Sequence, residues 1–175
     1  MTLKHINILA FFSILLIAFY FIIKKFRPMI LIKDAFRSAL SKFSEPIVRN
    51  CERLYRLETN NFKSNQFLKT FSPGMEKFGN NFPYGWQSLD NALWKSHPLL
   101  APVGALPFCE NRTGKTKWFL KFPSAKAAVY TVCTFLQLHN NNPGRWYSLS
   151  LTSQATYNTN VAKFKTDIVD EILKT

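Results

Sequence analysis

Between Arg53 and Thr166 the chain carries four carboxylic acids, Glu58, Glu76, Asp90 and Glu110. Carboxylate chemistry in that stretch must draw on these. Glu58 is the best placed. It ends the segment SEPIVRNCERLYRLE, in which Ile47, Cys51, Leu54 and Tyr55 recur at three- and four-residue steps and so share one helix face. One more turn of that face arrives at Glu58, directly before the break at Thr59-Asn60-Asn61. A carboxyl group at the end of an apolar stripe loses water, and the negative end of the helix dipole lies beside it. Both effects disfavour the ionised form and raise the pKa. A carboxylic acid that keeps its proton near neutral pH can serve as a general acid. The competing reading is a solvated glutamate paired with Arg53 or Arg56, and position alone favours it. The other reactive side chains offer less. His5, His97 and His139 have no carboxylate or thiolate neighbour at zinc spacing, so neither a metal nor another cofactor is expected. Cys51, Cys109 and Cys133 lack a paired spacing; Cys51 and Cys133 fall on apolar helix faces and read as buried free thiols, with one disulfide allowed but not required.

Several elements must position Glu58. Ser44 can cap its helix, with Glu45 in the first turn and Pro46 tolerated there. Asn60-Asn61 makes the turn that follows, Ser64 can cap the next short helix, and Ser72-Pro73-Gly74 ends it. Glu58-Thr59-Asn60-Asn61-Phe62-Lys63-Ser64, then Phe67, then Ser72-Pro73-Gly74-Met75, resembles the catalytic segment of lysozyme-like lytic transglycosylases and glucosaminidases. The likeness covers about 25 residues closely and the region from Phe122 to Tyr147 more loosely. It departs at Thr59, where Ser is commoner, and at Pro-Gly-Met-Glu, where Gly-Leu-Met-Gln is usual. The resemblance implies Glu58 as the acid, with Ser64, Phe67, Met75, Tyr130, Trp146 and Tyr147 contacting substrate. It also implies a late tyrosine hydrogen-bonded near the acid, either Tyr147 or Tyr130, with Tyr147 preferred because Tyr130 lies mid-helix. The implied reaction is cleavage of the β-1,4 bond between N-acetylated sugars of peptidoglycan. Two-carboxylate glycosidases need a second acid at about 5 Å or about 6.5–9.5 Å, and no motif supplies one here. A transglycosylase, in which the substrate's acetamido group assists a single glutamate, is therefore preferred over a muramidase or glucosaminidase hydrolase.

Charge narrows the partners. The 175 residues hold 23 Lys and Arg against 10 Asp and Glu, a formal net charge of +13. Such an excess suits a polyanion: nucleic acid, an anionic membrane or the acidic bacterial wall. The basic residues form no single stripe and accompany no recognition motif, which argues against nucleic acid. Aromatic residues reach 15 %, more than a core of this size needs, so some are expected to line a cleft.

Ile6–Ile23 is an 18-residue run without charge, broken only by Asn7 and Ser13, and Lys24-Lys25-Phe26-Arg27 follows. The run is long for a signal peptide and lacks a small-x-small cleavage site, so it reads as a retained transmembrane helix and places the lipid membrane among the partners. Positive charge concentrated after the run would keep the domain in the cytoplasm, the wrong side for a cell's own wall enzyme. A membrane-containing bacteriophage resolves the conflict as a hypothesis: a single-pass protein of the host inner membrane or virion membrane, contacting capsid or membrane proteins, that acts in phage entry or host lysis. Met29–Phe43 reads as a basic amphipathic helix, lying either at the membrane interface or on the domain. Residues 76–124 form the candidate second lobe. They contain Trp86, Trp94 and Trp118, an irregular SHPLLAPVGALPF and an alternating KTKWFLKF that suits an edge strand. Ser124–His139 reads as a helix, Asn140–Ser148 as turn and loop, and Ser153–Lys174 as one terminal helix whose Asp167, Asp170 and Glu171 are surface charges. The expected architecture is a mainly α (α+β, lysozyme-like), two-lobed domain preceded by one transmembrane helix. Its segments are 1–27 as anchor, 28–43 as juxtamembrane helix and 44–175 as catalytic domain. The alternative is a non-catalytic, basic, membrane-anchored structural protein of a virion.

Overall fold

The computed structural model describes residues 3–76, 94–109, 114–147 and 150–175, without the side chains of 3–14 and 21–26. Trp86, Asp90 and Glu110 lie outside the described residues. The fold is mainly helical with one small sheet, an α+β arrangement.

Helix α1, Leu3–Leu40, runs through Pro28 without interruption. An internal proline removes one helix hydrogen bond, yet the helix continues into the domain. Ile32, Ala35, Phe36 and Ala39 follow helical steps and are buried, and this face packs on α4, Ala125–Leu138. On α4 the Tyr130 hydroxyl donates to Ser38 O at 3.0 Å. The amphipathic stretch expected over 28–43 is thus no separate element. It is the last part of α1, and its apolar side faces the core rather than a bilayer. Toward the other end of α1, Leu15, Leu16, Ile17, Phe19 and Tyr20 are exposed. Among the described residues, no helix is long and apolar enough to cross a membrane.

Helix α2, Glu45–Glu58, is central and touches α1, α4, α6 (Leu151–Ala162) and α7 (Asp167–Leu173). Val48, Cys51, Leu54 and Tyr55 are fully buried. Cys51 and Cys133 are free buried thiols, and Cys109 is free and exposed. After α2 the backbone is left-handed at three successive residues: Asn60, Asn61 and Phe62 at φ 50°, 54° and 64°. Asparagine accepts this conformation readily; Phe62 carries a cost of about 1–2 kcal/mol. Its ring is buried among Phe36, Tyr55 and Phe67, and the gain from burying a phenylalanine, about 1.5–3 kcal/mol, offsets that cost. Thr59 Oγ1 ties the turn by accepting Phe62 N–H at 2.9 Å. The short α3, Asn65–Thr70, follows, capped by Ser64 Oγ, which accepts Phe67 N–H at 3.2 Å.

Strands β1 (Gly104–Cys109) and β2 (Thr116–Lys121) pair antiparallel, with Pro107 opposite Trp118. KTKWFLKF is a strand as expected. SHPLLAPVGALPF is not wholly irregular: it contains a 3-10 turn, Pro98–Leu100, and then β1. Pro107 is tolerated because β1, among the described residues, is paired on one side only, which leaves an edge for its missing N–H. Leu120 N–H to Met75 O at 2.8 Å and Phe122 N–H to Thr70 O at 3.0 Å fasten the sheet to the segment after α3.

Two further expectations change. Residues 144–147 form a one-turn helix, α5 (Gly144–Tyr147), rather than a loop. The terminal helix is two helices, α6 and α7, separated by residues 163–166. A buried side chain on α2 accounts for the break. Glu52, fully buried, accepts Ile168 N–H at 3.0 Å and Val169 N–H at 2.9 Å, plus Arg56 Nε at 2.9 Å and Nη2 at 2.6 Å. Starting a new helix at Asp167 presents free N–H groups to that carboxylate. The surface acids of α7 are exposed but paired: Asp167 with Arg56, Asp170 with Arg49 and Glu171 with Lys33.

Candidate active site

Glu58 occupies the last position of α2, where the left-handed turn carries the backbone away and leaves its side chain against α6 and the segment after α3. The Tyr157 hydroxyl, from α6, donates to Glu58 Oε1. Gly74 approaches from the segment before β1: a Cβ there would lie 3.1 Å from Glu58 Oε2, and its φ of +82° is one that other residues adopt only under strain. Ser72 Oγ shapes this approach by accepting Met75 N–H at 2.9 Å. Tyr147 of α5 stacks on Tyr157, with ring centroids 5.2 Å apart and planes within 12°.

Burial raises the Glu58 pKa above the ordinary carboxylate range, and the Tyr157 hydrogen bond offsets part of that rise by favouring the charged form. Burial, and then the neighbouring Glu58 charge, push the Tyr157 phenol well above its usual value. At neutral pH the phenol therefore keeps its proton and stays a donor to Glu58. Glu58 opens on a cleft of about 560 Å3 whose walls are Leu57, Tyr147, Tyr157 and the α6 residues Thr152, Ser153, Thr156 and Asn160. Size does not select this site. A cavity of about 590 Å3 between α1 and the start of α4 contains only Asp34 as an acid, and Asp34 is paired with Arg37 at 2.9 Å.

Of the residues expected at a site, Glu58 and Tyr147 meet at the cleft and the others do not line it. Ser64 is the cap of α3. Phe67 and Met75 are core residues. Trp146 is buried edge-on against Phe135, 5.2 Å between centroids, and Tyr130 bonds α1. The tyrosine on the acid is Tyr157, in place of Tyr147 or Tyr130. Its sequence context, TSQATYNTNVAK, holds a signal: Thr152, Thr156 and Asn160 at four-residue steps make a polar face beside it. Trp94 packs on Phe122 and Trp118 stands half-exposed on β2; neither lines the cleft.

Among the described residues, Glu52 and Glu76 are engaged elsewhere. Glu76 is paired with Lys117 at 2.9 Å, and all of Glu52's described contacts serve α7 and Arg56. Glu58 is thus the only carboxylic acid among the described residues of the cleft wall. Among the described residues no group of three or more His, Cys, Asp or Glu is gathered to hold a metal. The arrangement suits proton delivery to, and then removal from, a bound molecule by one carboxylic acid held by α6 and the segment at Gly74. No family model matches the chain, and no curated protein or solved structure matches it.

Proposed function

We propose that the protein is a peptidoglycan-degrading lytic enzyme that cleaves the β-1,4 glycosidic bond between N-acetylated sugars, with Glu58 as general acid and then base. The observation that carries this reading is a single buried glutamate of raised pKa, hydrogen-bonded by Tyr157 and open to a cleft. Such a group holds the proton that the leaving glycosidic oxygen needs. After bond cleavage the carboxylate accepts a proton from the sugar's 6-hydroxyl, closing a 1,6-anhydro ring. The acetamido group stabilises the oxocarbenium-like state in the meantime. A lytic transglycosylase is preferred over a hydrolase because the described cleft wall holds one acid, whereas the hydrolytic two-carboxylate scheme needs a pair. The motif around Glu58 and the basic excess, which suits an anionic wall, support the same reading.

The enzyme is anchored through residues 6–23 in a host inner membrane or a virion membrane and serves phage entry or lysis. The exposed apolar run at 15–20 supports an apolar environment for that part of α1. Protease protection of the domain in spheroplasts, set against cleavage from outside, tests its side of the membrane.

The catalytic test uses the full-length protein in detergent micelles on purified peptidoglycan, with released fragments read by mass spectrometry. Anhydro-muropeptides that vanish with Glu58→Gln are expected. Reducing ends would instead indicate a hydrolase, and absence of release from several wall types would favour the structural virion protein.

A further inference from the structure

The cavity of about 590 Å3 between α1 and the start of α4 has no part in the chemistry of Glu58. It opens where α1 passes from its exposed apolar run into the face that packs on the core from Ile32 onward. Pro28, Leu31, Leu68, Phe71 and Pro123 give it an apolar lining, and Arg27 and Lys126 bring two cations. Both cations are exposed, and the Lys126 ammonium stands 5.4 Å from the Tyr130 ring centroid, one turn along α4. The described lining holds one acid, Asp34, whose charge is answered by Arg37 at 2.9 Å. Met29, Ile30, Leu31 and Leu68 are large apolar residues left exposed here. Apolar surface rimmed by charge marks an interaction site.

Because α1 is continuous, its rise converts sequence into depth. Arg27 lies four residues past Ile23 and Leu31 lies eight, about 6 Å and about 12 Å along the axis. The polar layer on each side of a hydrocarbon core is about 5–8 Å deep. With residues 6–23 in that core, Arg27 and Pro28 fall at the level of the lipid phosphates. Lys126 belongs to another helix and joins Arg27 at one cavity because α4 packs on α1.

We propose that this cavity seats the headgroup of one anionic phospholipid, with its phosphodiester between Arg27 and Lys126 and its glycerol and first acyl carbons against Leu31, Leu68 and Phe71. Cations at this depth attract anionic lipid, and the dipole of α4, which begins at the cavity, adds to the same sign. A soluble polyanion would match the cations but leave the apolar lining wet; a phospholipid satisfies both. The seat holds the domain against the bilayer, in keeping with an α1 that runs unbroken from the apolar run into the core. This inference goes beyond the glycan-cleaving reading and rests only on the placement of residues 6–23 in a membrane.

The test titrates the full-length protein in neutral detergent with phosphatidylglycerol and counts bound lipid by native mass spectrometry. One retained lipid per chain is expected. Arg27→Gln together with Lys126→Gln should weaken its binding about thirtyfold, the effect of two interfacial cations. Lys121→Gln together with Lys165→Gln, equal in charge and outside the cavity lining, should leave it unchanged. Glycerol phosphate, the headgroup without chains, and diacylglycerol, the chains without phosphate, should not compete at the same concentration. Equal binding by the cavity variant, an equal loss in the other variant, competition by either half of the lipid, or no retained lipid would overturn the seat. The anchor fails separately. A protein that stays with membranes through alkaline carbonate, yet binds lipid equally in both variants, would lose the seat and keep the anchor. Cavity-dependent lipid binding by a protein that carbonate strips from membranes would do the reverse.

Discussion

Tyr157 and Gly74 both meet the Glu58 carboxyl group, one on each oxygen. Burial raises the Glu58 pKa above its ordinary 4.5, so folding favours the protonated form. The stability this contributes is complete below the ordinary value and is lost as pH rises through the raised folded value. Glutamine carries no such penalty, so the melting temperature of Glu58→Gln should exceed that of the unsubstituted protein at neutral pH. The gap should close as the pH falls below 4.5; a gap independent of pH would contradict a desolvated acid. Peptidoglycan turnover by the same variant should fall by about 10²–10⁴-fold, the range for loss of a general acid. Tyr157→Phe removes the hydrogen bond that favours the Glu58 carboxylate, so the folded pKa should rise further. The alkaline limb of the rate–pH profile, where the acid loses its proton, should then move to higher pH; a static or downward limb would count against the assignment. Gly74→Ala should cost about 1–2 kcal/mol through its left-handed backbone and press a methyl group on Glu58 Oε2, lowering turnover as well. Denaturant midpoints and initial rates separate the two effects.

At the scale of elements, α2 is held by what its carboxylates do at either side of its last two turns. Glu58 serves the cleft; Glu52, six positions earlier, ends the run of α6 by capping α7. Glu52→Ala would leave Arg56 and two N–H groups without their buried acceptor and should cost about 3–5 kcal/mol. Chemical denaturation would show it, and a loss below 1 kcal/mol would remove Glu52 from its structural role. The far part of α1 belongs to the same core. Phe36 is fully buried, and Phe36→Ala should cost about 3–5 kcal/mol, whereas a helix resting on a membrane surface would lose little. Helical periodicity made α2 and α4 legible, and the Ser64 cap was readable from residue type alone, whereas α1 read as two separate helices and is one. The division of α6 from α7 was not legible. Ser153–Lys174 has a continuous apolar periodicity, and the acceptor that breaks it lies more than a hundred residues away on α2.

For the molecule as a whole, the formal net charge is +13, yet the described wall of the cleft contains no Lys or Arg and one acid, Glu58. Binding of the intact protein to the acidic wall should therefore weaken steeply with salt, since exposed charges are screened over about 10 Å at 0.1 M. Occupation of the cleft by a neutral oligosaccharide should not. Co-sedimentation with wall sacculi across a salt series measures the first effect, and salt-insensitive sedimentation would argue that the basic surface is not the wall-binding element.

Residue order by itself singled out Glu58 and the helix that ends on it. The apolar steps leading to Glu58, the asparagine pair behind it and the scarcity of other carboxylates are local facts, and local periodicity is what a helix expresses. Only the tertiary structure decided which groups meet that acid. Ser64, Phe67 and Met75 are close to Glu58 in sequence, yet their side chains are taken by a cap and by the core. Tyr157 is 99 residues away and reaches the carboxylate because α6 packs across α2. Periodicity shows which face of a helix is buried; it does not show which other helix covers it, because that choice is made by the packing of the whole chain at once.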